Sequence, residues 1–446
     1  MKVDTRVKRM LHNSSQRCNN FLQRRYGVRL GRRYALAAAG VVLMGMIGCS
    51  PLSESSAIAA RQYNTESPMS KAVIPDTKLV NSNTKFGFKL FSEVIKKDEG
   101  ANVFVSPSSV SFALAMTYNG ATGTTQQAMA KALEYSGLSL QQINSSNAAL
   151  KALLENPDSK VQLTIANSLW TNSNTSLNPD FLQKNRDFYS SRVTNLDFTK
   201  SGAADTINNW VKDSTRGKIN KIVEQISPDQ VMFLINAIYF KGAWTSPFDK
   251  TQTKQYPFEK ASGQVVQTPM MSQSGKYKYL EDENFQAISL PYGKDGKISF
   301  YVFLPKDNTN LKEFYQTLNA ENWDKWMSQF RKRDGEIRLP RFKMDYEVTL
   351  NDALTALGMG EAFSDKANFS GIGKNLAISA VKHKTFVEVS EEGTEAAAAT
   401  SVGIVALSAP MEPPFSMIVD RPFFTCIRDN QTGSILFMGS IAAPQS

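Results

Sequence analysis

The chain has 446 residues, 41% hydrophobic and 21% charged, an ordinary globular composition with enough apolar residues for a large core. Its net charge of +10 would suit a nucleic-acid partner, but residues 1–48 carry ten basic side chains against the single acid Asp4. By subtraction the other 398 residues hold about +1, so nucleic-acid binding loses its main support.

A basic stretch ending at Arg32-Arg33 precedes an apolar run from Ala35 to Ile47, the length of a signal-peptide core and too short for an ordinary membrane span. The run closes on Met46-Ile47-Gly48-Cys49, which resembles the lipobox of bacterial lipoproteins, with Met46 where Leu is usual. The expectation is a signal peptide over 1–48, lipid on Cys49, and a flexible tether over 49–76 rich in Ser, Ala, Pro, Asn and Thr. The folded domain is expected over 77–446. With Cys18 in the leader and Cys49 at the anchor, only Cys426 is left, so no disulfide framework exists and the core must hold the fold. Cys426 reads as a small buried hydrophobe.

Phe86, Phe88, Leu90, Phe91 and Ile95 fall largely on one helical face. Ser106-Pro107 supplies a cap and a first-turn proline for a helix over Val110 to Tyr118, ended by Gly120 and Gly123, and Gln126 to Leu133 continues as another. Leu163 to Trp170 and Val231 to Phe240 read as strands, the second so continuously apolar that both its faces must be covered. Further strands are predicted at Ile298 to Leu304, Glu336 to Phe342 and Lys384 to Ser390, and short strands with turns follow from Ser416 to Ile441. Helices first and strands later indicate an α+β domain.

Nucleophilic catalysis by a Ser-His pair needs a histidine able to relay a proton. The chain has two, and His12 lies in the leader. His383 is in register with Thr385, Val387 and Val389, the face expected to be buried, so it reads as a structural, hydrogen-bonded residue. One histidine and one thiol do not make a His/Cys metal site. Neither a G-x-S-x-G elbow nor a Walker loop occurs, so no enzyme, no cofactor and no metal is expected.

The most informative stretch is Glu391-Glu392-Gly393-Thr394-Glu395-Ala396-Ala397-Ala398-Ala399-Thr400, which follows the strand ending at Ser390. To enter a packed sheet as a strand, alternate side chains must be small or apolar. Thr394, Ala396, Ala398, Thr400, Val402, Ile404 and Ala406 form one such set, while Glu395 and Ala397 begin the set suited to an exposed face. Gly393 gives freedom to turn, and no proline interrupts Gly393 to Ala409, so each residue can donate to a ladder.

This stretch resembles the hinge of the serpins, and the resemblance spans about residues 77–444. It is supported in order by Asn102 to Pro107, by Leu234 to Gly242 with Trp244, by Leu290-Pro291-Tyr292, by Leu339-Pro340-Arg341-Phe342, and by Pro422-Phe423 about twenty residues after the hinge. The resemblance implies a fold with three β-sheets, about nine helices and an exposed C-terminal reactive loop within about 391–415. It also implies a suicide-substrate mechanism, in which a protease cuts the loop and is trapped as an acyl-enzyme when the loop inserts into the main sheet. Thr394 would be the first hinge side chain to enter.

By the same resemblance Ser106, Ser109, Asn236 and His383 match the shutter beneath the sheet, and Trp244 matches the aromatic where insertion begins. A plain core role for Trp244 stays open. Counting about seventeen residues from Glu391 puts the reactive bond at Leu407–Ser408, or at Ala406–Leu407 if the register slips by one. These residues suit a chymotrypsin-, subtilisin- or elastase-like serine protease, with a cysteine protease also open. The absence of Arg or Lys between Glu395 and Met411 argues against trypsin-like targets. The expected protein is a monomeric protease inhibitor, lipid-anchored to a bacterial envelope or extracellular if not lipidated. A non-inhibitory serpin acting as a binding or carrier protein is the alternative.

Overall fold

The computed structural model of the chain describes residues 74–98, 100–155, 157–307, 309–394 and 413–445. Helix α1 (Thr77–Lys97) starts on Asp76, whose side chain accepts from the Lys78 amide, and it buries Leu79, Phe86, Leu90, Phe91 and Val94. Helix α2 (Pro107–Tyr118) is buried along its whole length, its hydroxyl residues Ser108, Ser109, Ser111 and Thr117 included, and so lies at the centre of the core. Ser106 caps it, with its hydroxyl accepting from the Ser109 amide at 3.4 Å, and Pro107 occupies the first turn. Gly120 follows the end of α2, but Gly123 opens the next helix, α3 (Gly123–Ala132), instead of closing the last. Among the described residues there are nine α-helices, and the first four strands, beginning with β1 (Val103–Val105), are interleaved with them.

Six strands form the main sheet, in the order β10 (Phe342–Thr349), β11 (Ala380–Ser390), β12 (Gly393–Thr394), β4 (Met232–Ala243), β2 (Val161–Asn172) and β3 (Arg192–Leu196). Its inner face carries Leu163, Ile165, Leu234, Ile238 and Phe240 into the principal core. Its outer face carries Phe233, Ile235, Ala237, Ala380 and Phe386 into a second cluster, closed by Ile207 and Val211 from helix α6 (Ala203–Ser214). Burial on both faces explains the unbroken apolar run of β4.

The other nine strands form one network, and the expected second and third sheets merge there through β6 (Val265–Glu281). Over most of its length β6 pairs with β5 (Lys254–Glu259) and β9 (Arg331–Pro340); its last four residues pair with β7 (Phe285–Pro291). The strand predicted over Glu336 to Phe342 is two strands. Pro340 has no amide hydrogen to continue β9, and after Arg341 the chain passes into β10 of the main sheet. Cys426 is a free thiol with no exposure, and burial raises its pKa, as expected of a core residue.

Candidate functional site

Strands β4 and β11 run parallel and pair from Phe233 with Ala380 up to Tyr239 with Phe386. Asn236 and His383 are partners in that ladder, and both point inward onto the start of α2. The Ser106 amide donates to His383 Nε2 at 3.0 Å, so the proton sits on Nδ1 and is donated to Asn236 Oδ1 at 2.5 Å. Asn236 Nδ2 in turn donates to Ser109 O at 3.0 Å, to Ser109 Oγ at 2.5 Å and to Asn167 Oδ1 at 2.5 Å. The four residues singled out in the sequence therefore meet in one buried cluster, and Asn167, which the sequence did not flag, belongs with them. Burial without a carboxylate lowers the His383 pKa to about 3, which keeps the imidazole neutral at physiological pH. With both ring nitrogens engaged and no solvent access, it has no means of relaying a proton.

Above Phe386 and Tyr239 the two strands part, and β12 fills the opening. Gly393 pairs with Ser390 on one side and Ala243 on the other, and Thr394 pairs with Val389 and Gly242. Thr394 is thus already inside the sheet, fully buried, with its hydroxyl 2.7 Å from that of Tyr292. Gly393 is required here, because at φ +140° a Cβ would lie 2.1 Å from Gly242 O. Trp244 is 3% exposed and stacks on Tyr292 with ring centroids 4.4 Å apart. Its indole N–H donates to Ser390 O at 2.9 Å and its amide to Glu392 O at 2.9 Å, so it combines core packing with a direct hold on the hinge.

The two hinge carboxylates are also held. Glu391 is 3% exposed, accepts from Thr253 Oγ1 at 2.7 Å and lies 3.6 Å from Arg341 Nε. Glu392 is paired with Lys250; partial burial opposes its ionisation, but the Lys250 ammonium prevails and holds the carboxyl below its ordinary range. Tyr292, Thr253, Arg341 and Lys250 were not identified from sequence as hinge contacts. Only Tyr292 and Arg341 lay within recognised motifs, and none carries a local signal of what it touches.

Glu395, Ala396, Ala397, Ala398, Ala399 and Thr400 of the hinge, the bonds at Ala406, Leu407 and Ser408, and Cys49 lie outside the described residues. Among the described residues no group of three or more His, Cys, Asp or Glu side chains could hold a metal ion. None of their helices is long and apolar enough to cross a membrane.

The family profile described as serpin (serine protease inhibitor) matches residues 81–444. The leukocyte elastase inhibitor of Bos taurus is 36% identical over 382 residues, covering 82% of this chain and all of that protein. Among solved structures, the thermophilic serpin tengpin in its native state matches with a TM-score of 0.77 and 34% identity, over 90% of this chain and 98% of that one. Human thyroxine-binding globulin complexed with its hormone matches with a TM-score of 0.75 and 28% identity, over 83% and 99% of the two chains. With a single α+β domain, a hinge strand entering the main sheet and this agreement along nearly the whole domain, the chain belongs to the serpin family.

Proposed function

We propose that this serpin is an inhibitor that traps its protease as an acyl-enzyme by drawing the cut loop into the main sheet. The observation that carries the reading is β12: Gly393 and Thr394 already occupy the opening between β11 and β4, antiparallel to both. Continuing that register would set Glu395 between Glu388 and Lys241 on the outer face, and Ala396 between the buried Val387 and Phe240. Only a small side chain suits the second position. The first existing bridge to break is that of Phe386 with Tyr239, when Ala397 enters. Three residues later Thr400 would come level with His383 and Asn236, where its hydroxyl meets a polar cluster whose own bonds must open.

The reactive bond is proposed at Leu407–Ser408, with Ala406–Leu407 one residue away, and the target is a chymotrypsin-, subtilisin- or elastase-like protease. A relative named for inhibiting leukocyte elastase supports an apolar specificity pocket in that target. Incubation with a panel of such proteases should give a complex that survives boiling in detergent, with the released peptide starting at Ser408. Cleavage without a complex by every protease would sink the inhibitory reading and favour a carrier role, the alternative that the likeness to thyroxine-binding globulin supports.

The proposed location is the bacterial envelope, through lipid on Cys49 after removal of residues 1–48. Metabolic labelling with a fatty acid should mark the wild type and spare Cys49→Ala; equal labelling of the two would dispose of the anchor.

A further inference from the structure

On the outer face of the sheet, where β12 separates β4 from β11, a cleft of ≈ 620 Å³ is lined by Lys241, Lys250, Lys254 and Arg341 beside Glu391 and Glu392. We propose that this cleft binds a small multivalent oxyanion, a polyphosphate or a sulfate ester, which competes with the two hinge carboxylates for their cations. Its size lies within the range of about 300–1,000 Å³ usual for small-molecule sites. Four cations around one concavity are not a background feature of a chain whose charge beyond the leader is close to zero.

Two of the four are uncommitted. Neither Lys241 nor Lys254 has a carboxylate within ion-pair distance among the described residues. The other two are loosely held. Arg341 approaches Glu391 with Nε at 3.6 Å, beyond hydrogen-bond distance, so the guanidinium can still turn a two-pronged face to a phosphate or sulfate. The side chain of Lys250 is 65% exposed, so its pair with Glu392 exchanges readily with solvent and solutes. Lys250 and Arg341 pair with the adjacent hinge carboxylates Glu392 and Glu391, so both cations stand over one space. The one further acid in the lining, Glu388, stands opposite Lys343 in the neighbouring strand pair.

An anion that draws Lys250 and Arg341 to itself leaves Glu391 buried without a counter-charge. The hinge then gains by leaving the sheet, and the Trp244 indole loses its bond to Ser390 O. Binding does not depend on the inhibitory reading. Its consequence for inhibition rests on that reading: a bound anion delays insertion, and more of the serpin is cleaved as substrate.

The test is calorimetric titration of the full chain with pyrophosphate, and separately with a sulfated disaccharide, at ionic strength held constant with sodium chloride. Saturable one-site binding by either probe is expected, weakened at least tenfold in the Lys241→Gln/Lys254→Gln double variant, whose circular dichroism should match the wild type. Tryptophan emission should change on saturation, and a Trp244→Phe variant should lose that change. Failure of both probes to bind saturably, or affinity unaltered in the double variant, overturns the site. Binding with constant emission overturns the competition with the hinge. If the anion binds but no protease is ever trapped, the site stands and the inhibitory reading alone fails.

Discussion

From Phe233 to Tyr239, β4 is joined to β11 backbone to backbone, and beneath that seam His383, Asn236, Asn167, Ser106 and Ser109 bond to one another out of reach of water. From Gly242 to Phe248 the closure is borrowed: two hinge residues fill the gap, and exposed Lys250 and Arg341 hold the carboxylates next to them. The lower closure consists of buried, neutral hydrogen bonds, each costly to leave unmade. The upper one combines the packing of Thr394 and Trp244 on Tyr292 with ion pairs whose cations are exposed, and water and salt weaken that second part of its hold. A strand entering this sheet therefore meets its weak boundary first and its strong boundary last.

The largest effect expected is that of Thr394→Arg, which attacks the upper closure where it is most tightly packed. The side chain must bury an unpaired cation, at a cost of several kcal/mol, or leave the sheet with its hinge. The variant should be cut at the same bond as the wild type and release active protease. Trapping with wild-type stoichiometry would show that insertion does not pass through this position. Asn236→Ala attacks the lower closure. It strands the His383 Nδ1 proton and Asn167 Oδ1, and should cost about 3 kcal/mol in urea unfolding. A loss below about 1 kcal/mol would mean that the cluster contributes little.

The same histidine predicts a dependence on pH. Its folded-state pKa, lowered to about 3, lies below the ordinary value of 6.5, so between these values only the unfolded chain takes up the proton. Stability should be flat above pH 6.5 and fall by about 1.4 kcal/mol per unit on acidification below it. His383→Gln should remove that slope, and urea midpoints at pH 7, 5.5 and 4.5 read the difference. The smallest effect is that of Lys250→Gln. With its ammonium in water, Lys250 should add little to global stability. Hydrogen exchange at the Trp244 and Phe248 amides, which bind Glu392 O and Glu391 O, should quicken while the amides of β4 around Asn236 stay protected. Equal quickening in both regions would erase the distinction between them.

Much of the lower closure was legible in the sequence. The buried face of His383 follows from strand alternation, and Ser106-Pro107 is a local helix start. Asn167 was not, because a buried asparagine in a strand gives no signal of the partner 69 residues away. In the upper closure the hinge itself was legible from its small residues, but its position was not. Whether Thr394 waits outside or sits against Tyr292 depends on competition among Trp244, Thr253 and Arg341, all distant in sequence. The joint at Arg341 was missed for a related reason. Glu336 to Phe342 keeps a strand-like composition on both sides of Pro340, while the chain changes sheets there.

Parallel β4 and β11 share evenly spaced, slanted hydrogen bonds, whereas β12 lies antiparallel to both, in the arrangement that bonds slightly better per residue. Each residue that follows Thr394 into the seam would exchange one parallel pairing for two antiparallel ones. The uncut fold would then persist because conversion is slow, and its endurance would be a half-life set by a barrier. The apparent melting temperature should accordingly rise with heating rate.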